Sequence, residues 1–132
     1  MEISRLMIER TGADYDKLDS EMLIALHQFN DTIHEKYGWG VQLLYNGMNS
    51  GDHKAIEHPQ GKAVDFVIVG EKVEPFIVIC EMIVAGFRGL GTYWNGVARS
   101  YHGDVREKFA QWQWKNKRDD KGNRIYEALF SF

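Results

Sequence analysis

Two pairs of histidine and aspartate are the residues of this chain whose types and spacing best suit metal chemistry. His58 and Asp65 lie seven positions apart, and the letters between them, PQGKAV, include a proline and a glycine that let the chain fold back. His102 and Asp104 form the second pair, and on a strand both side chains project from the same face. Imidazole and carboxylate are both good zinc ligands. Three such ligands leave the fourth position of a tetrahedral zinc ion open for water, which is the catalytic arrangement.

The order of these residues resembles that of the zinc DD-peptidases of the M15 class, which share a fold with the Hedgehog signalling domain. The pattern HxxGxAxD begins at His58, and the pattern HxDVR begins at His102. The letters GLGTY, which start at Gly89, are similar to the strand that precedes the third ligand in that family. Trp112 falls where the family core often ends. The resemblance covers about residues 18 to 112 and is strongest to the short peptidoglycan-cleaving forms of phages and bacteria.

This resemblance implies an endolysin-like peptidoglycan hydrolase that holds Zn²⁺ with His58, Asp65 and His102. Zinc would lower the pKa of a bound water from near 16 to about 7 and polarise a peptide carbonyl. Asp104 is then predicted to act as a general base or to support the site from behind. In relatives with a His-x-His pair the second residue binds the metal, so Asp104 is the alternative third ligand and His102 the alternative assisting residue. Because histidine is the commoner zinc donor, we favour His102.

Two further side chains are predicted to contribute to catalysis. Arg106 can stabilise an oxyanion or hold a substrate carboxylate, and its alternative role is that of an ordinary surface arginine. His53 lies five residues before His58 and can line the same cleft, and its alternative role is that of a loop histidine.

The chain also departs from the family pattern. Ile56 stands where the family usually has serine, and residues 45 to 49 lack the arginine with which carboxypeptidase members hold the substrate's terminal carboxylate. Arg99 stands three positions before His102, where some branches place a glutamate base. The absence of that arginine favours an endopeptidase over a DD- or LD-carboxypeptidase. The missing serine and arginine also support an alternative, a catalytically inactive structural or wall-binding module of a phage particle. Zinc-dependent hydrolysis of another amide is a third possibility, because a fold does not fix a substrate.

Hydrophobic periodicity predicts the elements that must position these residues. The predicted architecture is an α+β domain over residues 1 to 132, with a small antiparallel sheet, flanking helices, a core of about 18 to 112 and a C-terminal extension over 113 to 132. That extension is predicted to end in a short helix packed on the domain. The other predicted elements are helices over about 19–37 and 74–85, strands over 41–45 and 63–69, and a hairpin of 90–94 with 100–105 around the turn dipeptide Asn95-Gly96.

Composition narrows the classes of function. The chain is 44% hydrophobic and 27% charged, which is typical of a soluble globular domain. A net charge of -3 argues against nucleic-acid binding driven by phosphate contacts. The single cysteine, Cys80, excludes an internal disulfide and a multi-cysteine zinc site. No apolar run is long enough for a membrane span or a signal peptide. We therefore expect a protein that is cytoplasmic at synthesis, released to the wall by a separate export or lysis system, and monomeric, although the sequence leaves the oligomeric state open.

Overall fold

The computed structural model describes residues 18–44 and 62–131. In these two ranges the chain forms two helices and a six-stranded mixed sheet, which confirms the predicted α+β class. The strands lie side by side in the order β1-β2-β4-β3-β5-β6. The elements are α1 (Ser20–Tyr37), β1 (Gly40–Leu43), β2 (Ala63–Val69), α2 (Pro75–Ala85), β3 (Gly89–Trp94), β4 (Arg99–Asp104), β5 (Ala110–Trp114) and β6 (Glu127–Ser131).

Both helices begin and end close to the predicted residues. Asp19 is the N-cap residue of α1, and Gly38 ends that helix in the left-handed conformation at φ 73°, where glycine has no Cβ to clash. Pro75 opens α2, where its missing N–H costs no hydrogen bond, and Gly86 ends it at φ 111°. The apolar residues that α1 buries in the core are Met22, Ala25, Leu26, Phe29 and Ile33.

The sheet has one apolar face that packs against the helices. Phe66 of β2 lies 5.6 Å from Phe29 of α1 and 5.7 Å from Tyr101 of β4, measured between ring centroids. Gly103 lets Phe87 lie directly on β4, because a Cβ at that glycine would come 2.8 Å from the Phe87 ring. Since side chains alternate along a strand, the residues between these core positions point to the opposite face. That opposite face carries the predicted metal and catalytic residues of β2 and β4.

The prediction of a small antiparallel sheet is wrong at one pair of strands. β3 and β4 form the predicted antiparallel hairpin, but β5 pairs with β3 in parallel. β4 ends at Asp104, opposite the start of β3 at Gly89, and β2 already occupies the other side of β4. The chain therefore passes to the free edge of β3, and a strand that starts there runs in the same direction as β3.

The predicted C-terminal helix is also wrong, because this segment forms strand β6. β6 pairs antiparallel with β5 at the edge of the sheet. The connection over residues 115 to 124 is exposed throughout, as its many charged side chains indicate. Within it, the carboxylate of Asp119 accepts hydrogen bonds from the backbone N–H groups of Lys121 and Asn123. This turn reverses the chain and allows the apolar residues after it to extend the sheet. Neither helix of the described ranges is long and apolar enough to cross a membrane.

Candidate metal centre

The centre of the polar face is formed by Asp65 and His102, which are direct cross-strand partners in β2 and β4. Asp65 Oδ1 lies 3.0 Å from His102 Nδ1. The imidazole is buried, whereas the carboxylate side chain keeps 25% of its surface exposed. Solvent can therefore reach this contact from the Asp65 side, whereas the protein covers the imidazole side.

The second ring nitrogen of His102 is held from behind by Asp104. His102 Nε2 lies 2.7 Å from Asp104 Oδ2, and this carboxylate is completely buried. Arg106 closes the chain of contacts by donating from Nε to Oδ1 at 2.8 Å and from Nη2 to Oδ2 at 2.6 Å. Its backbone N–H also donates to Oδ1, at 3.1 Å. The result is a line of alternating groups, carboxylate, imidazole, carboxylate and guanidinium, that fixes the orientation of the ring.

Two glycines of β3 make room for these side chains. The Asp104 carboxylate occupies the space that a Cβ at Gly89 would fill. A Cβ at Gly91 would lie 2.5 Å from Trp112 Nε1 and 2.9 Å from Tyr93 Oη. Because Gly91 has no side chain, the Trp112 ring can extend across β3 to within 5.1 Å of the imidazole of His102, between centroids. The indole therefore shields the buried side of the site from water.

The electrostatics of the site favour a charged imidazole in the absence of metal. Burial alone would lower the pKa of His102, but hydrogen bonds and charge from Asp104 and Asp65 outweigh it and raise the pKa to about 9. Burial would likewise raise the pKa of Asp104, but hydrogen bonds from His102 and Arg106, together with their charges, hold it well below its usual range. The site therefore favours a positive charge between Asp65 and His102. When no metal is bound, a proton supplies this charge.

Zinc-free protein is therefore expected to lose stability as the pH rises from about 6.5 to about 9. The pKa of His102 is about 9 in the folded chain, against 6.5 for a free imidazole. This raised pKa stabilises the fold fully below pH 6.5, and the contribution disappears as the pH rises through the folded-state value. We expect the free energy of unfolding, measured by urea titration in EDTA, to fall by about 3 kcal/mol across this window.

Two variants test whether His102 causes that pH dependence. His102→Gln cannot be protonated, so its free energy of unfolding is expected to change little between pH 6.5 and 9. His34→Gln, at an exposed position of α1, removes a different imidazole and is expected to keep the wild-type slope. Equal slopes in His102→Gln and the wild type would show that another group is responsible.

The geometry of Asp65 and His102 fits a tetrahedral zinc ion. Two ligand atoms with bonds of about 2.0–2.1 Å to one zinc lie about 3.3 Å apart, which is close to the 3.0 Å between Oδ1 and Nδ1. A zinc-bound histidine usually donates its other N–H to a carboxylate, as Nε2 is placed to do toward Asp104. The ring nitrogens point in diverging directions, so Asp104 cannot share an ion with Asp65. Accordingly, no three His, Cys, Asp or Glu side chains of residues 18–44 and 62–131 are grouped to hold a metal ion.

The structure thus brings together four of the six predicted site residues. Asp65, His102, Asp104 and Arg106 form one continuous network. The remaining predicted zinc ligand, His58, and the predicted cleft residue, His53, lie outside the described residues, as do Ile56 and residues 45 to 49. Sequence reasoning did not identify Tyr93 as a member of the site. The alternation of GLGTYW, with glycines on one face before the tyrosine, is the signal that could have found it.

Comparison of the chain with protein-family models, with curated proteins and with solved structures finds no match. The resemblance of the sequence motifs to zinc peptidases therefore stays a prediction. The evidence about function lies in the site itself, in which Asp65 and one nitrogen of His102 face a common point and Asp104 holds the other nitrogen.

Proposed function

We propose that this protein is a zinc-dependent peptidase that cleaves the peptide stems or cross-links of bacterial peptidoglycan. The observation that carries the proposal is the 3.0 Å approach of Asp65 Oδ1 to His102 Nδ1, with Nε2 anchored on Asp104 at 2.7 Å. A structural ion pair needs only one of these two contacts. A zinc-bound histidine usually donates its other N–H to a carboxylate, and Asp104 is placed to accept it while Nδ1 faces Asp65. The absence of arginine from residues 45 to 49 favours endopeptidase cleavage.

In this proposal His58, Asp65 and His102 would hold the zinc ion, which would supply a water of lowered pKa and a polarised carbonyl. Asp104 keeps the proton on Nε2 and so leaves the Nδ1 lone pair for the metal. The buried position of Asp104 supports this orienting role over that of a general base. Arg106 neutralises Asp104 and lies over the Trp112 ring at 5.0 Å, which supports a positioning role over direct contact with substrate.

The proposal predicts that the purified chain, stripped with chelator and dialysed, binds one zinc ion. Isothermal titration with zinc gives the stoichiometry, and release of soluble peptides from purified peptidoglycan gives the activity. Walls with directly linked stems and walls with bridged stems should both be supplied, because the bond that is cut is not specified by the site. A zinc-loaded, folded protein that leaves every wall type intact would contradict the proposal.

A second function, an inactive structural or wall-binding module of a phage particle, is favoured by one feature of the network. With a proton in place of a metal, Asp65, His102, Asp104 and Arg106 alternate in charge along one line of hydrogen bonds. Such a network can stabilise the sheet without any ion. The same titration separates the two functions, since a structural module is expected to bind no zinc at neutral pH.

A further inference from the structure

The hydroxyl of Tyr93 lies beside the candidate metal centre. Gly91 is the direct cross-strand partner of His102, and a Cβ on that glycine would come 2.9 Å from Tyr93 Oη. The phenol therefore lies above Gly91, the residue of β3 that borders the imidazole and has no side chain. Trp112 fixes it there, because the indole Nε1 donates a hydrogen bond to Oη at 3.1 Å.

The chemistry of this hydroxyl is that of a donor. Burial is the main reason why the pKa of Tyr93 lies well above its ordinary value, and the nearby charge of Asp65 raises it further. The group consequently keeps its proton at any physiological pH. One lone pair of Oη already accepts the N–H of Trp112, and no acceptor in the described part of the chain takes the phenol's own proton. In this partly buried site, the Tyr93 hydroxyl can therefore donate a hydrogen bond to an oxygen atom of a ligand.

We propose that Tyr93 is a catalytic residue that donates a hydrogen bond to the carbonyl oxygen of the scissile peptide bond. This inference rests on the proposed peptidase function. When the oxygen of water adds to the carbonyl carbon, the C=O electron pair moves onto oxygen, and that oxygen accepts the Tyr93 hydrogen bond. The C–N bond then breaks, and the amine leaves with a proton that came from the water. Tyr93 keeps its proton throughout, so it acts by electrostatic stabilisation of the intermediate.

The test compares Tyr93→Phe with the wild type and with Tyr126→Phe. Tyr126 is a matched control, because its ring lies 6.2 Å from that of Tyr93 but is 49% exposed, and the change again removes only a hydroxyl. We expect Tyr93→Phe to bind zinc as the wild type does, with kcat lower by a factor on the order of 100 and KM within about twofold. An acetylated alanyl phosphinate dipeptide, which imitates the tetrahedral intermediate, should bind Tyr93→Phe more weakly by a similar factor. Tyr126→Phe should match the wild type in all four measurements.

The outcomes separate this inference from the proposed function. A wild type that binds zinc but cleaves no peptidoglycan contradicts the function. Equal phosphinate affinities of the wild type and Tyr93→Phe, or no phosphinate binding by either, overturn the role of Tyr93 whether or not the wild type cleaves peptides. A parallel loss of zinc affinity in Tyr93→Phe would also overturn it, because the hydroxyl would then support the metal site. Urea unfolding of each variant verifies that the fold is retained.

Discussion

The Asp65→Asn variant is expected to bind zinc at least about 100-fold more weakly and to cleave peptide about 1000-fold more slowly than the wild type. An amide oxygen has no formal charge, so it is a poorer ligand for a divalent cation than a carboxylate. Without the metal, water keeps a pKa near 16 and is a weak nucleophile. Isothermal titration with zinc and release of peptides from peptidoglycan measure the two effects.

The fold should survive this change, because Asp65 is partly exposed and an asparagine oxygen can still accept a hydrogen bond from His102 Nδ1. Asp31→Asn, at an exposed position of α1, makes the same change in charge and is expected to alter neither zinc affinity nor turnover. If Asp65→Asn retains wild-type zinc affinity, the carboxylate is not a ligand and the proposed site is wrong.

Local signals in the sequence were sufficient to predict both helices and four of the strands. A proline at position 75 and glycines at 38 and 86 mark helix boundaries through backbone geometry alone, which needs no knowledge of the rest of the fold. The hairpin of β3 and β4 follows from the turn dipeptide Asn95-Gly96 in the same way. Asn95 Oδ1 accepts hydrogen bonds from the N–H groups of Val97 and Ala98 in that turn.

The edge of the sheet could not be predicted from local signals of this kind. β5 has the letters AQWQW, in which apolar and polar residues alternate as they do in a strand. Aromatic residues after a hairpin are, however, equally consistent with an irregular segment whose side chains pack into the core. β6 is a strand because β5 offers it an unpaired edge, so its conformation depends on a long-range partner. The apolar residues from 125 onward have no clear helical or strand periodicity, so the sequence alone does not determine whether this segment is a helix or a strand.

Four members of the candidate site were predictable from the sequence, but their arrangement was not. Period-two alternation places His102 and Asp104 on one face of β4, and this much follows from the sequence. The register that sets Asp65 opposite His102 is a property of the sheet. So is the separation of the two carboxylates onto opposite nitrogens of one ring.

The Asp104→Asn variant is expected to be strongly destabilised. Asp104 is completely buried and accepts hydrogen bonds from both His102 and Arg106. Asparagine offers one acceptor oxygen, and its NH₂ group faces a donor that it cannot bind. The free energy of unfolding at pH 7 should fall by about 3–5 kcal/mol, because a buried positive charge loses its partner. Urea titration measures this change, with Asp120→Asn in the exposed turn as the control.

Loss of Asp104 should also weaken zinc binding by about 10- to 100-fold, because Nε2 no longer has a carboxylate to fix the tautomer and orientation of His102.

A double-mutant cycle with Arg106→Gln separates the loss of stability from the loss of zinc affinity. Arg106 is partly exposed, so Arg106→Gln alone should be milder than Asp104→Asn. The double variant should be more stable than the sum of the two single changes predicts, by about 1–3 kcal/mol, because the Asp104–Arg106 ion pair is removed as a whole and neither of its members is left without the other. Zinc affinity should stay low in Asp104→Asn and in the double variant, since neither restores the carboxylate behind the imidazole. Wild-type zinc affinity in Asp104→Asn would show that His102 does not depend on this carboxylate, and the orienting role of Asp104 would be wrong.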